Sequence, residues 1–159
     1  MIFVAVGTQK FPLDRLLQAI DSLIEQNIIQ EPVFAQTGYC CYKPMNFEAK
    51  PFLTGEEFAE KISACDLLIT HSGVGTIIKG MNLGKPVIVF PRRVEYGEHV
   101  DDHQLQIAEA FSSKNHVLQA DDSASLAAAI QEAPGHVFAP YQSSRAKFVK
   151  TIETYLDSI

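Results

Sequence analysis

The sequence predicts an α/β fold in which a parallel sheet carries helices on both of its faces. Three observations support this prediction. Short apolar runs alternate with segments of helical periodicity along most of the 159 residues. The runs at 67–70 and 87–90 lack charged side chains, as is typical of strands covered on both faces. No repeat, low-complexity tract or linker interrupts the alternation, so we expect a single domain over residues 1–159.

Each element is predicted from its periodicity and from the residues that end it. The apolar positions of 13–25 recur with the spacing of a helix that buries one face. Thr54 and Glu57 have the spacing of a capping box at the start of a helix, and Gly84-Lys85-Pro86 ends the next one. Residues 37–50 are rich in Gly, Tyr, Cys and Pro, and predict a loop with room for one short strand near its end. The predicted strands are 2–6, 32–36, 67–70, 87–90 and 116–119, and the predicted helices are 13–25, 54–64, 74–83, 101–111, 123–131 and 145–156.

This order, β-α-β-(loop)-α-β-α-β-α-β-α-α, is typical of a sheet wound like a Rossmann domain. The composition of the chain argues against several classes of protein. Hydrophobic residues make up 47% and charged residues 20%, which is ordinary for a globular domain. The formal net charge of −6 argues against a basic nucleic-acid-binding protein. No apolar run reaches the roughly 20 residues that span a bilayer, and the apolar start lacks the basic lead of a signal peptide, so we expect a cytoplasmic protein. The three cysteines form no CxxC pair and predict reduced thiols.

The loop at 71–76, His-Ser-Gly-Val-Gly-Thr, lies between a buried strand and a helix, where an open parallel sheet binds its ligands. The first-turn amides of that helix lack intrahelical partners and carry partial positive charge. Glycine lets a phosphate approach the backbone, and Ser72 and Thr76 offer hydroxyl donors. We therefore expect an anion here, most simply a diphosphate, with a turn shaped only by its glycines as the alternative. The loop matches neither GxGxxG nor a P-loop. Gly7-Thr8-Gln9 faces the same crevice if the first strand is central.

The loop after the fourth predicted strand has two interpretations. His99 and His103 are four residues apart with Asp102 nearby, which is one arrangement for a metal site. Polar residues that cap and solvate a helix start are the alternative. Carboxylates and carboxamides such as those of Asp101, Asp102 and Gln104 can also bridge neighbouring sugar hydroxyls. We favour this sugar-binding interpretation and expect no metal.

Four motifs occur in a fixed order along the chain. They are Val6-Gly7-Thr8 with Phe11 and Asp14-Arg15-Leu16, then Thr70 to Thr76, then Gly84-Lys85-Pro86, then Asp101-Asp102-His103-Gln104. Together they resemble the glycosyltransferase family 28 C-terminal domain, from residue 1 to about residue 130. The likeness is closest to the stand-alone form of this domain, the catalytic subunit of two-part bacterial exopolysaccharide glycosyltransferases, with a eukaryotic relative in the dolichol pathway. The resemblance implies the C-terminal half of a GT-B fold, which binds a UDP-sugar donor.

By position, the resemblance implies a donor site built from several loops. The residues implied to hold the diphosphate are His71, Ser72, Gly73, Gly75 and Thr76. The residues implied to face the donor sugar are Asp101, Asp102 and Gln104, those implied to read uracil are Phe52 and Leu53, and those implied to line the cleft are Gly7 and Thr8. Such enzymes generally need no bound metal or cofactor, because the helix dipole stabilises the developing charge. The general base is not identified, and His71 is the candidate that this chain offers.

One position departs from the family pattern. Many members place an acid seven residues after the residue that matches Ser72, where it binds the ribose hydroxyls. Here that position is Lys79, and lysine accepts no hydrogen bonds. We expect ribose recognition to be weaker or to come from elsewhere, with a contact to a phosphate as the alternative role of Lys79.

The resemblance also implies a partner. A GT-B enzyme closes two Rossmann-like domains over its cleft, and this chain supplies one of them. The family implies a membrane-anchored subunit that binds a polyprenyl-linked acceptor and recruits this chain to the inner face of the cytoplasmic membrane for exopolysaccharide or capsule synthesis. We expect the uncovered face to favour self-association of the isolated chain. The alternatives are a non-catalytic partner-binding or enhancer subunit, and an unrelated nucleotide-binding Rossmann domain.

Overall fold

The computed structural model describes residues 1–141, so the predicted helix over 145–156 lies outside the described residues. Within this part of the chain, strands and α-helices alternate, with short 3-10 turns at Val94–Tyr96 and Ala133–Gly135. The strands are β1 Ile2–Ala5, β2 Val33–Gln36, β3 Glu48–Lys50, β4 Leu67–Thr70, β5 Val87–Val89 and β6 Leu118–Gln119. The helices are α1 Asp14–Glu25, α2 Gly55–Ala64, α3 Val74–Asn82, α4 His103–Ser113 and α5 Ser123–Glu132.

The strands form one parallel sheet in the order β3-β2-β1-β4-β5-β6. β1 lies at the centre, and its last residue, Ala5, is opposite Gln36 of β2 on one side and Thr70 of β4 on the other. The winding of the chain reverses between β1 and β4, which is the switch point where open sheets bind ligands. The predicted Rossmann-like α/β fold is confirmed, and the loops that follow β1 and β4 are neighbours.

Side-chain alternation along the strands divides the core between the two faces of the sheet. In β1, Ile2 and Val4 pack on the face that α1 and α5 cover, whereas Phe3 and Ala5 pack on the face covered by α2, α3 and α4. All four side chains are fully buried, and burial of a large apolar side chain is worth roughly 1.5–3 kcal/mol. The sheet is therefore anchored on both faces, and its carboxyl edge is left to the polar loops.

Two elements begin two residues later than the sequence prediction, while the starts of the others agree to within one residue. α4 begins at His103, two residues later than predicted, because the Asp101 carboxylate accepts the His103 N–H at 3.0 Å. The Asp102 carboxylate accepts the N–H of Val94, also at 3.0 Å, and so ties the start of α4 to the preceding loop. The last predicted strand, 116–119, is shortened to β6.

The start of α2 satisfies half of the predicted capping box. The Thr54 hydroxyl accepts the N–H of Glu57 at 3.1 Å. The Glu57 carboxylate binds Lys50 Nζ at 3.0 Å instead of returning to the Thr54 backbone. Lys50 belongs to β3, so this contact connects an edge strand to the following helix. Within residues 1–141, no helix combines the length and apolarity that crossing a membrane requires.

Candidate functional site

A cavity of about 410 Å³ opens beyond the carboxyl ends of β1, β2 and β4. It lies at the topological switch point, where the fold predicts a ligand site. Loops from four parts of the chain contribute to its wall. The lining residues are Gly7, Thr8, Gln9, Gln36, Leu53, Thr54, Gly55, Phe58, His71, Gly73, Gly75, Thr76 and Lys79.

Two helix N-termini border this cavity. α3 begins directly after Gly73, which has no side chain that could cap the helix. The first backbone N–H groups of α3 are therefore free to donate to another acceptor. Gly75, in the first turn, has open space where a side chain would begin. α2 begins at Gly55, which lines the cavity beside its cap Thr54. The partial positive charge at both helix starts makes the cavity suited to an anion.

The loop after β1 is held in place by Gln36, at the end of β2. Gly7 has a φ of 84°, a left-handed conformation that favours glycine. The Gln36 carboxamide accepts the Gly7 N–H at 3.0 Å and donates to the Gly7 carbonyl at 2.9 Å. It also donates to the carbonyl of Pro51 at 2.8 Å. One buried side chain therefore connects the loops after β1 and β3, a role that the sequence prediction missed.

The imidazole of His71 lies between the two glycine loops. The side chain is only 6% exposed, yet it lines the cavity. A Cβ placed at Gly7 would lie 2.5 Å from its Nε2, and one at Gly73 would lie 2.4 Å from its Cε1, so neither position has room for a side chain. Burial and the nearby Arg92 and His99 lower the pKa of His71 to about 3. The ring is therefore neutral at physiological pH.

Arg92 places a buried positive charge behind His71. It is 1% exposed, and its Nη1 lies 3.0 Å from His71 Nδ1. Its Nη2 donates to the carbonyls of Val6 and Phe11 at 2.7 and 3.0 Å, which fixes both ends of the loop after β1. Glu98, an acid whose charge acts on Arg92, forms its own ion pair at 3.0 Å with Arg15. Burial lowers the pKa of Arg92, but a guanidinium stays charged in proteins.

Comparison with known proteins identifies the chain at the level of family. Residues 1–156 match the sequence model of the glycosyltransferase family 28 C-terminal domain. The chain belongs to this family. A curated relative, the UDP-N-acetylglucosamine transferase subunit ALG13 of Candida albicans (strain SC5314 / ATCC MYA-2876), is 32% identical over 81 residues, which are 51% of this chain and 26% of the relative.

A second relative comes from Alkaliphilus metalliredigens (strain QYMF). This UDP-N-acetylglucosamine--N-acetylmuramyl-(pentapeptide) pyrophosphoryl-undecaprenol N-acetylglucosamine transferase is 38% identical over 74 residues, 45% of this chain and 20% of the relative. The chain spans about a third or less of the length of the curated relatives it matches. An NMR structure of ALG13 superposes with a TM-score of 0.58 at 20% identity, over 90% of this chain and 89% of that one, and supports the fold.

Seven of the residues that the family 28 resemblance singles out line the cavity: Gly7, Thr8, Leu53, His71, Gly73, Gly75 and Thr76. Ser72 is buried beside them, and its hydroxyl has no hydrogen-bond partner among the described residues. Phe52 lies outside the cavity wall, is 45% exposed, and packs edge-on against Tyr39 with 5.3 Å between ring centroids.

The three residues predicted to face the donor sugar do not line this cavity. Asp101 and Asp102 are exposed, and their carboxylates accept the backbone N–H groups at the start of α4 and in the loop before it. Gln104 is buried: its carbonyl oxygen accepts the Arg92 N–H at 3.1 Å, and its nitrogen lies 3.4 Å from Gln9 Oε1. In this arrangement Gln104 supports the wall of the site from behind.

The residues of the alternative metal site make other contacts. His99 packs on Phe11, with 4.9 Å between ring centroids, and its Nδ1 lies 3.2 Å from the Asp101 carboxylate. In residues 1–141, no group of three or more His, Cys, Asp and Glu side chains converges as metal ligands would. Asp102, the N-cap residue of α4, makes no side-chain cap. The carboxylates of this segment instead bind the N–H of Val94 in the preceding loop and that of His103 at the helix start.

Lys79, which replaces the acid of many family 28 domains, belongs to α3 and lines the cavity. It shares one face of α3 with Gly75 and Thr76, because residues three and four apart are neighbours on a helix. Its ammonium lies 5.3 Å from the ring centroid of Phe58. Among the described residues that line the cavity, it is the one with a cationic side chain, and no carboxylate accompanies it.

Proposed function

We propose that this chain binds the nucleotide of a UDP-sugar, of the UDP-N-acetylglucosamine class, and forms the donor half of an inverting glycosyltransferase. The observation that carries the proposal is the electrostatic character of the cavity. Two helix N-termini and the Lys79 ammonium meet there, Arg92 is buried behind the wall, and none of the described residues that line the cavity carries a carboxylate. A diphosphate supplies the negative charge that these groups would stabilise.

The same groups support a mechanism of direct displacement at the anomeric carbon. Negative charge builds on the UDP leaving group as the bond to the sugar breaks. The free amides of α3 are fixed before the reaction, so they stabilise that charge without reorganisation. The attacking hydroxyl belongs to the acceptor, and we propose that the group that deprotonates it lies on the partner or at the edge of the cleft.

We further propose a partner subunit at the membrane that supplies the acceptor, a polyprenyl-diphosphate-linked sugar, in the synthesis of exopolysaccharide or capsule. The names of two relatives support this: one is a transferase subunit, and the other acts on a pyrophosphoryl-undecaprenol compound. Exposed apolar side chains also occur in the loops that follow β2, β3 and β5, on the edge where a second domain would close the cleft. They are Tyr39, Phe52, Val94, Tyr96 and Val100.

Calorimetric titration with UDP, UDP-N-acetylglucosamine and ADP tests the donor proposal. We expect binding of both uridine nucleotides and weak or absent binding of ADP. A preference for ADP would contradict the proposal and favour an unrelated nucleotide-binding domain. Co-expression with the product of a neighbouring gene, followed by transfer of radiolabelled sugar to membrane lipid, tests the partner and the acceptor.

A second candidate is a non-catalytic subunit that holds its partner and enhances the partner's activity. It is supported by the position of Lys79, where many family 28 domains have the acid that binds the ribose hydroxyls. This candidate predicts no heat of binding with either uridine nucleotide, but an intact complex with the partner. The two candidates therefore separate in the same titration, before any acceptor is known.

A further inference from the structure

We propose that Arg92 is a positioning residue which, together with Gln104, holds His71 as the Nε2–H tautomer, so that a neutral N–H group meets the diphosphate. This inference rests on the proposed function for the identity of the ligand. The state of His71 that it assigns is a property of the ligand-free protein. Arg92 and Gln104 act through the imidazole and need no contact with the nucleotide.

The tautomer follows from the groups that face Nδ1. Arg92 Nη1 lies 3.0 Å away, and a guanidinium only donates hydrogen bonds. Gln104 Nε2 lies 3.4 Å away. The orientation of this carboxamide is fixed at its other end, because its oxygen accepts the Arg92 backbone N–H at 3.1 Å. Nδ1 therefore faces two donors and must accept, so the single proton of the neutral ring is on Nε2.

The opposite edge of the ring faces the cavity. Gly7 and Gly73 are the residues whose added Cβ would meet this edge, at 2.5 Å from Nε2 and 2.4 Å from Cε1. Both glycines line the cavity, as His71 itself does. Their missing side chains leave the Nε2 edge open on the side where a ligand would enter. The N–H therefore joins the free amides of α3 as a donor to the same anion.

The charges around the ring oppose a second proton. Arg92 and His99, both from the loop after β5, are the charged or titratable groups that act on it, and α4 contributes only the neutral Gln104. Glu98 turns to Arg15. If Nδ1 were protonated, its N–H would face the N–H groups of Arg92 and Gln104 in a buried site, and none of these donors would have an acceptor there. As the neutral Nε2–H tautomer, His71 has no free lone pair, so it serves as a hydrogen-bond donor and not as the general base.

Long-range ¹H–¹⁵N spectra of protein labelled at histidine test the proposal without any ligand. The His71 signal is assigned by its loss in His71→Gln. We expect protonated Nε2 and unprotonated Nδ1 throughout pH 5–8. A proton on Nδ1, a mixture of tautomers, or titration of His71 within this range would overturn the assignment.

Substitution of Arg92 tests its part in fixing this state. In Arg92→Met we expect loss of the single tautomer and about tenfold weaker UDP binding, as for one hydrogen bond to a charged group. Arg92→Lys keeps a cationic donor and should recover part of both. The control is Arg93→Met, because Arg93 pairs with Asp121 and Glu95 and should alter neither property.

The outcomes separate this inference from the proposed function. A folded Arg92→Met protein that keeps both the tautomer and the UDP affinity of the wild type would refute the role of Arg92. If Arg92→Met does not fold, the wild-type spectra still test the tautomer of His71, and Arg92→Lys still tests the role of Arg92. Failure of the wild-type protein to bind UDP contradicts the proposed function alone, since the tautomer is measured on the free protein.

Discussion

Gly73 and Gly75 lie two residues apart in the same loop, yet their surroundings differ. A Cβ at Gly73 would press on the His71 ring at 2.4 Å, whereas one at Gly75 would enter open space beside the first turn of α3. Gly73 is therefore needed to pack the site, and Gly75 is needed only if a ligand occupies that space. Substitution of the two positions separates folding from binding.

We expect Gly73→Ala to lower the free energy of unfolding by about 1–3 kcal/mol, because the ring must shift. Gly75→Ala should leave that free energy unchanged or slightly higher, since alanine favours the helix. Its methyl group nevertheless occupies the approach to the α3 amides, so UDP affinity should fall about tenfold or more. Urea unfolding and calorimetry measure the two effects. Wild-type affinity in Gly75→Ala would place the diphosphate elsewhere.

Lys79 gives a second prediction at the scale of one residue. If its ammonium reaches a phosphate, Lys79→Ala should weaken UDP binding about fivefold to tenfold and leave the weaker binding of uridine unchanged. The difference should shrink at high ionic strength, because this lysine is accessible to solvent. Lys114→Ala, at the exposed end of α4, is the matched control. Equal losses for UDP and uridine would assign Lys79 to the nucleoside.

Sequence spacing predicted the residues of this site that act locally, but not those that act at a distance. Gly73, Gly75 and Thr76 follow directly after a buried strand, so their place at the sheet edge can be predicted from the chain alone. Arg92 reaches the Val6 carbonyl 86 positions away, and Gln36 reaches Gly7 across 29. Nothing near either residue in the sequence indicates burial, because most of their partners are backbone groups that only the folded sheet brings close.

Among the elements, the helices α2 and α5 begin with comparable side-chain caps in different places. Thr54 accepts the Glu57 N–H beside the cavity. Asp122 accepts the N–H of Ser125 at 2.7 Å, and the Ser125 hydroxyl accepts the Asp122 N–H at 3.1 Å, which completes a capping box far from the cavity. The two caps form a natural pair for comparison.

We expect Thr54→Ala and Asp122→Ala each to lower the free energy of unfolding by about 1 kcal/mol, the usual value of an N-cap. Only Thr54→Ala should also weaken UDP binding, since its loss frays the helix start that borders the cavity. Chemical denaturation and UDP titration of the two variants provide the measurement. Equal UDP affinities for both would show that α2 does not contribute to the site.

The sequence predicted buried elements better than exposed ones. β4 and β5 were evident as uncharged apolar runs, because both of their faces are covered. β3 confirms the short strand expected near the end of residues 37–50, but all three of its residues are exposed, so hydrophobicity did not indicate its bounds. The start of α4 was predicted too early because Asp101 accepts the N–H of its first residue, His103, from outside the helix, and the Asp102 carboxylate binds the preceding loop.

For the whole molecule, the neutral His71 makes stability depend on pH. Its folded pKa of about 3 lies below its ordinary value of 6.5, so the unfolded chain binds the extra proton between these values. Stability is therefore complete above about pH 6.5 and is lost as the pH falls toward 3. The loss from this group is about 2 kcal/mol by pH 5.

Urea unfolding of the wild type and of His71→Gln at pH 7 and pH 5 measures this contribution. Glutamine does not titrate, so the free energy of unfolding of His71→Gln should change less between the two pH values than that of the wild type. Asp101 and Asp122, whose pKa values are lowered by backbone N–H donors, act only below their ordinary value of 3.8 and leave this window clear. An identical pH dependence in both proteins would contradict a buried neutral His71.

The central position of β1 has a consequence for synthesis of the chain on the ribosome. Ala5 pairs with Thr70, which is translated 65 positions later. At about 5–20 residues per second, one edge of this fully buried strand remains unpaired for roughly 3–13 s before its neighbour is made. During that time an apolar template with free amides and carbonyls is open to other nascent chains. Slow translation before β4 should therefore lower the yield of this protein, and a bound chaperone should restore it.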